Sequence, residues 1–306
     1  MEPTPDQRVD RFAARHHGLV TRAIALTLGL TTRQIDRRLA SGRWILVAQG
    51  LYRVASAPVT WQQRALAACL SGPPGTVASH LTAGALHDLA EPPGTPHVTL
   101  PPRTSGRIRI ARVHRSPLST ADVIIVAGIP TTAPARTLLD CAGVLGWHRL
   151  CDMVDAAFCS GVSHPVTIPA VIDRAQSGKG RKGVAALRRA VEAWTPGIRP
   201  GSPAEMRLLR KIAESGLEPP ERQIEILDAD DVVVGRIDLG WRDRRAGFEY
   251  DSDLHHNPRH WERDESRQLS YAAAGWEVRR VGKLDLLPSV TWVDELVARL
   301  VRRPAA

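Results

Sequence analysis

GLVTRAIALTLGLTTRQIDRRLASGRWILVAQGLYRV, residues 18–54, sets the architecture of the front of this chain. Gly18 closes a short helix over about 7–17, in which Val9, Phe12 and Ala13 stand at helical spacing. Thr21 is placed to cap a second helix, Arg22–Thr27, and Leu28-Gly29-Leu30 makes a tight turn between apolar anchors. Thr31 or Thr32 then caps a third helix running to about Ala40, with Ile35 and Leu39 four apart and turned inward. Gly42 ends it. RWILVAQGLYRV follows as two short strands about Gln49-Gly50, a hairpin wing. Helix, Gly-containing turn, helix and hairpin is the order of a winged helix-turn-helix, expected over residues 1–58. With Ile35 and Leu39 inside, Arg33, Gln34, Arg37 and Arg38 are expected on or near the outer face. Arg and Gln are side chains that contact base edges and phosphates. Eight Arg and one acid, Asp36, lie between Arg11 and Val54.

The surrounding chain has 306 residues, room for two or three domains. Its net charge of +9 is unevenly placed: residues 1–200 hold 24 Lys and Arg against 12 acids, and residues 201–306 hold 17 against 20. A basic front suits sequence-independent phosphate contact. Only four of the 41 basic residues are Lys (Lys179, Lys182, Lys211, Lys283), an Arg bias that a GC-rich genome also produces. The four cysteines, Cys69, Cys141, Cys151 and Cys159, form no C-x-x-C pair, which argues against a thiolate zinc site or a disulfide framework. No apolar run reaches the ~18–20 residues that span a bilayer, and MEPTPDQRVDRFAARHH lacks the apolar core of a secretory signal. A cytoplasmic protein with no membrane partner is expected.

A middle α+β region is expected over 59–195. WQQRALAACL, SHLTAGALHDL, PARTLLDCAGVL and HRLCDMVDAAFCSG read as helices, and HVTLP, RIRIARVH and DVIIVAGIP as strands. Its polar candidates are His80, His87, Asp88, Arg136 and Asp140. His80 and His87 stand seven apart, but no third metal ligand follows at a sensible spacing, so a capping or core-edge role is expected. Arg136 and Asp140 make an i,i+4 ion pair. The region is expected to bridge, with a homodimer one use of it. TPGIRPGSP, residues 195–203, is the best linker in the chain. From 202 to 306 the order helix, three strands, helix, strand, helix predicts an α/β sandwich on a central sheet.

Four acids stand out in that last region: Glu205 on its first helix, Asp238 in the strand VGRIDLGW, and Glu249 and Asp251 in GFEYDSDLHH. Residues two apart on a strand share a face, so Glu249 and Asp251 project together, with Asp238 one strand away. Carboxylates among apolar neighbours call for a partner, and Mg²⁺ or Mn²⁺ held by Asp238, Glu249 and Asp251 is the expected one. Metal-bound water can attack a phosphodiester. His255 is placed to act as general base, and Arg263 and Arg267, i,i+4, to hold a phosphate.

Two resemblances extend this reading. Residues 18–54, with SHLTAGALHDL and GIPTTAPARTLLD, resemble AbiEi-type antitoxins, the regulator half of type IV toxin–antitoxin systems; this implies a transcriptional-regulator-like role on DNA and leaves the existence of a cognate toxin open. SPAEMRLL, RIDLGW, FEYDSDLHH and RDESRQLSYAAAGWEVRRV resemble a family related to very-short-patch-repair (Vsr) endonucleases of the PD-(D/E)XK superfamily. That likeness implies a restriction-endonuclease-like α/β sandwich. It implies metal and catalytic roles for Glu205, Asp238, Glu249, Asp251 and His255, and phosphate or salt-bridge roles for Arg263 and Arg267. Two departures are visible: Asp251 stands where the superfamily has its lysine, and Ser252 where a Gly is expected.

The leading expectation is therefore a multidomain DNA-binding protein whose C-terminal domain is a metal-dependent endonuclease. The alternative is a non-enzymatic AbiEi-like antitoxin or transcriptional regulator with a degenerate nuclease fold. A third reading is a protein–protein module with no role on DNA.

Overall fold

A computed structural model of the chain describes residues 2–104, 107–175, 181–194, 203–250, 261–282, 285–286 and 290–302. Two compact units emerge, Met1–Thr195 and Pro196–Ala306. Among the described residues the architecture is mixed α+β, with three sheets.

The first unit begins with α1 (Pro5–Arg15), closed at its start by a reciprocal capping box between Thr4 and Gln7. Then come β1 (Leu19–Thr21), α2 (Arg22–Thr27), α3 (Thr32–Ala40), β2 (Trp44–Ala48) and β3 (Leu51–Val54). Thr21 caps α2, and Thr31 with Gln34 forms a second capping box on α3. The strands form an antiparallel sheet in the order β1-β3-β2. Val9, Val20, Ala25, Leu30, Ile35, Trp44 and Tyr52 make its core. The arrangement is winged-helix-like. Gly18 turns the chain from α1 into β1 at φ +77°, and a Cβ there would stand 2.2 Å from that of Ala57, so the entry accepts no side chain.

The same unit continues through α4 (Trp61–Leu70), β4 (Val77–Ala78), α5 (His80–Leu86), β5 (His97–Leu100), β6 (Arg112–Arg115), β7 (Val123–Val126) and β8 (Ile129–Thr132). The five strands order as β6-β5-β4-β8-β7, with β5/β6 and β4/β8 parallel. DVIIVAGIP, expected as one strand, is instead a hairpin. Ala127 and Gly128 both take positive φ (49° and 78°), the two-residue turn whose twist suits paired strands. RIRIARVH is strand only from Arg112. Four helices close the unit: α6 (Pro134–Ala142), α7 (Trp147–Cys159), α8 (Ile168–Ala175) and α9 (Val184–Glu192). They pack around Leu138, Leu139, Leu150, Val154, Ile172 and Leu187. Gln63 of α4 donates from Nε2 to the carbonyl of His17 at 2.6 Å, tying α4 to the winged-helix-like part.

The second unit runs α10 (Pro203–Glu214), β9 (Glu221–Leu227), β10 (Val233–Trp241), β11 (Ala246–Tyr250), α11 (Trp261–Ala273), β12 (Glu277–Val281) and α12 (Trp292–Arg302). This is the order expected from the sequence. β9, β10 and β11 form an antiparallel meander, and β12 returns through α11 to lie parallel to β11. Leu208, Ile212, Phe248, Val281, Val293 and Val297 fill one apolar cluster, and Ile224, Ile226, Ile237, Tyr271 and Val278 another. Among the described residues no helix is long and apolar enough to cross a membrane.

Candidate functional site

The helix α3 is the first candidate. Ile35 is fully buried, and Arg33, Gln34 and Arg37 are exposed as the helical period requires. Neither Arg33 nor Arg37 has an ion pair or side-chain hydrogen bond to a described residue. The Gln34 amide oxygen accepts from Thr31 N at 2.8 Å, so its first duty is the cap. Arg38 corrects the sequence reading. It is only 7% exposed, packs over the Trp44 ring at 5.6 Å, donates to Gln34 O at 2.8 Å and pairs with Asp6 of α1. The inward stripe of α3 thus runs through Ile35 and Arg38, three apart, while Leu39 is only half-buried. Burial lowers the Arg38 pKa, with Arg43 adding repulsion.

In the second unit each described acid of the proposed site is engaged. Glu205 on α10 pairs with Arg222 of β9. Asp238 on β10 accepts from Gln223 Nε2 at 2.9 Å and from Tyr250 N at 2.8 Å. Glu249 on β11 accepts from Tyr271 Oη at 2.7 Å and Arg280 Nε at 3.3 Å, with Arg267 Nη1 at 3.9 Å. Burial, then the bond to Glu249, pushes the Tyr271 phenol up. The register that sets Leu239 across from Phe248 places Asp238 opposite Glu249 one step further on. Asp251 and His255 lie outside the described residues, as does the side chain of Arg263. Glu205, Asp238 and Glu249 do not form a group able to share one ion as they stand.

Two polar centres lie in the first unit. The Arg136 side chain, 1% exposed, donates from Nε to Asp140 Oδ1 at 3.0 Å, from Nη1 to Asp122 Oδ2 at 3.2 Å and from Nη2 to Ser116 Oγ at 2.8 Å. Arg174 supports Asp122, and Arg181 supports Asp140. The expected Arg136–Asp140 pair is therefore one edge of a larger network. Burial works to raise the Asp122 pKa, but bonds from Ser119, Arg136 and Arg174 outweigh it and hold it low.

The second centre is three histidines. His80 opens α5, His97 opens β5, and His114 lies in β6. His80 and His114 stack with ring centroids 3.5 Å apart, and His97 Nδ1 sits 3.2 Å from His114 Nε2. Burial first, then the neighbouring imidazoles and arginines, lowers His80 to about 2; burial and adjacent charge lower His97 and His114 to about 4 each. His87, the C-cap of α5, faces away to Thr132 O at 2.8 Å. The sequence reading noted His80 and His87 seven apart and expected a capping or core-edge role, which His87 has as the C-cap. His97 and His114 were hidden because strands β5 and β6, far along the chain, supply them. The visible signal was HVT, in which His97 and Thr99 share a strand face.

Residues 7–55 match the family model described as "Transcriptional regulator, AbiEi antitoxin", and residues 76–193 match "AbiEi antitoxin C-terminal domain". The first unit carries two AbiEi antitoxin domains. Its AbiEi N-terminal domain holds α3 with Arg33 and Arg37; its AbiEi C-terminal domain holds the Arg136 network and the histidine cluster. Both matches end before the second unit begins. No curated protein matches the chain. Among solved structures, the RV2827C protein from Mycobacterium tuberculosis is similar at 16% identity and a TM-score of 0.44, over 68% of this chain and 80% of that one.

Proposed function

We propose that this chain is a DNA-binding transcriptional regulator of the AbiEi antitoxin kind, with α3 as the element that enters the major groove. The observation that carries this reading is the exposed, uncommitted pair Arg33 and Arg37 on α3 of a domain that matches an AbiEi transcriptional regulator. Guanidiniums one helical turn apart reach phosphates or a guanine edge from one face. Gln34 stands beside them at the helix start, where recognition helices present their base-reading residues. A cognate toxin and a homodimer on paired half-sites belong to the same reading. Fluorescence anisotropy with duplex DNA from upstream of its own coding region, across a salt series, tests it. Binding that weakens with salt and is clearly weakened in R33A/R37A supports it, and binding that the double variant leaves unchanged refutes it.

A second reading, the metal-dependent endonuclease, is favoured by the αβββαβ order of the second unit and by the opposition of Asp238 and Glu249. On that reading Asp238, Glu249 and Asp251 hold Mg²⁺ or Mn²⁺, Glu205 and His255 assist, and Arg263 and Arg267 hold phosphate. The ion would have to draw Glu249 away from Tyr271 and Arg280. Plasmid cleavage with Mn²⁺, abolished by EDTA and by Asp238→Ala, supports this reading. Absence of cleavage by protein that still binds DNA leaves the regulator.

A further inference from the structure

The geometry points to His80, His97 and His114 as a transition-metal site, with Zn²⁺ the natural occupant, that clips the edge strand β6 to α5 and β5. The three side chains each offer one ring nitrogen, and those nitrogens lie within 4.8 Å of one another. Zinc holds imidazole nitrogens at about 2.0–2.1 Å with tetrahedral angles, which spaces neighbouring nitrogens by about 3.3 Å. His97 Nδ1 and His114 Nε2 already stand 3.2 Å apart. His80 has to close the remaining gap by a ring rotation that unstacks it from His114.

The surroundings suit a ligand set. His80 and His97 are 7% and 5% exposed, and His114 is half-buried, so the cluster opens to solvent on one side. Ser79 Oγ lies 3.0 Å from His80 Nδ1 and in turn accepts from Thr99 Oγ1 at 2.8 Å; Ser79 and Thr99 are both fully buried. With Nδ1–H donating to Ser79, the Nε2 lone pair of His80 is left for a metal, the outer-shell device by which ligating histidines are oriented. His80 itself sits at φ +50°, a left-handed conformation that costs a non-glycine residue strain and that concentrates at binding sites. Among the described residues β6 pairs with β5 alone, at the end of its sheet. A bond from His114 to a metal shared with α5 would anchor that edge. Among the described residues no carboxylate belongs to the cluster, so it selects imidazole-preferring ions over Mg²⁺ or Ca²⁺. A His₃ set leaves the fourth position for water or an anion.

The test uses the full-length chain without an affinity tag, stripped with EDTA and then titrated with Co²⁺ as a spectroscopic stand-in for zinc. The expected result is the intense d–d absorption of tetrahedral Co²⁺, saturating at one ion per chain and displaced by Zn²⁺ but not by Mg²⁺. His114→Asn, at the half-buried ligand, is expected to keep the circular dichroism spectrum and to lose the Co²⁺ bands and, by roughly 100-fold, Zn²⁺ affinity. His148→Ala, at an exposed histidine on α7, should bind as the parent does. Featureless or non-saturating Co²⁺ spectra with the parent protein overturn the site, and so do tetrahedral bands that persist in folded His114→Asn. Should His114→Asn fail to fold, the parent spectrum and its one-to-one stoichiometry decide alone.

Discussion

Replacing Arg136 with Met should destabilise the AbiEi unit by about 3–4 kcal/mol. The side chain is 1% exposed and supplies charge-assisted bonds to two buried carboxylates, Asp122 and Asp140. Each such bond is worth about 1.5–3 kcal/mol, and breaking a buried ion pair from one side costs about 3–5 kcal/mol. The lower end applies because neither acid is stranded: Asp122 keeps Arg174 and Ser119, and Asp140 keeps Arg181. Met fills most of the vacated volume, so the loss is electrostatic and not a cavity. For a unit of this size about 2–4 °C of Tm is lost with each kcal/mol, so roughly 10 °C is expected. Scanning calorimetry gives the shift, and hydrogen exchange over residues 134–142 shows where the loss falls. Asp140→Leu in the same background should cost less than the two single changes added together, because it removes a carboxylate that Arg136→Met leaves under-paired. A Tm within about 2 °C of the parent for Arg136→Met, or strict additivity of the pair, would refute the claim that this network holds the unit together.

In EDTA, stability of the AbiEi unit should fall as pH drops below about 6.5 and stay flat from there to about pH 8. The unfolded chain then binds protons that His80, His97, His114 and His87 refuse in the folded state, because burial lowers all four. The size is roughly 2 kcal/mol for each of His80 and His97 at about pH 5, readable by urea melts across pH; a profile flat down to that pH would sink it. Tyr271→Phe removes the donor at 2.7 Å from Glu249 and should cost the second unit about 1.5–3 kcal/mol. A melting point that does not move would show that Arg280 and Arg267 satisfy Glu249 without it.

Elements were more legible than partners. The capping threonines Thr21 and Thr31, the glycine turns and the 3.6-residue apolar period indicated the winged-helix-like order, because those signals are local. The order of the second unit was legible for the same reason. What sequence missed is set by packing between distant segments. Arg38 looked solvent-facing because the helix period alone makes Leu39 the inward partner of Ile35. Asp6 and Trp44, contributed by α1 and β2, make a place for a buried guanidinium. The hairpin at Ala127-Gly128 hid inside an apolar run because Ala is an unusual residue at positive φ. The acids of the second unit stood out in the sequence as groups that need a cation, with Mg²⁺ or Mn²⁺ the one expected, and nothing local pointed to the arginines that also pair with them. Arg222 answers Glu205, and Arg280 answers Glu249. The histidine cluster needed strand pairing to be seen at all.

On the proposed reading, the same partnering limits how strongly α3 and its domain would grip DNA. Between Arg11 and Val54 the sequence offers eight arginines, and a footprint counted from composition would use them all. Arg38 is buried against Trp44 and Asp6; Arg22 is drawn to Tyr52 Oη at 3.3 Å and Asp36 at 3.6 Å; Arg53 donates to the carbonyl of Ala57 at 2.7 Å. Exposed and outside the ion pairs among the described residues are Arg11, Arg15, Arg33, Arg37 and Arg43. At about 0.9 counterions released per phosphate neutralised, these set a limit of about −4.5 on the slope of log K against log salt for one winged-helix-like unit, and about twice that for a pair on adjacent half-sites. Arg33→Ala with Arg37→Ala should lower the slope by about 2 per unit, and Arg38→Ala should leave it unchanged while lowering Tm. A slope of about −7 or steeper from a protein shown to bind as a monomer would mean that arginines committed to the fold, or a surface outside the AbiEi N-terminal domain, are on the DNA.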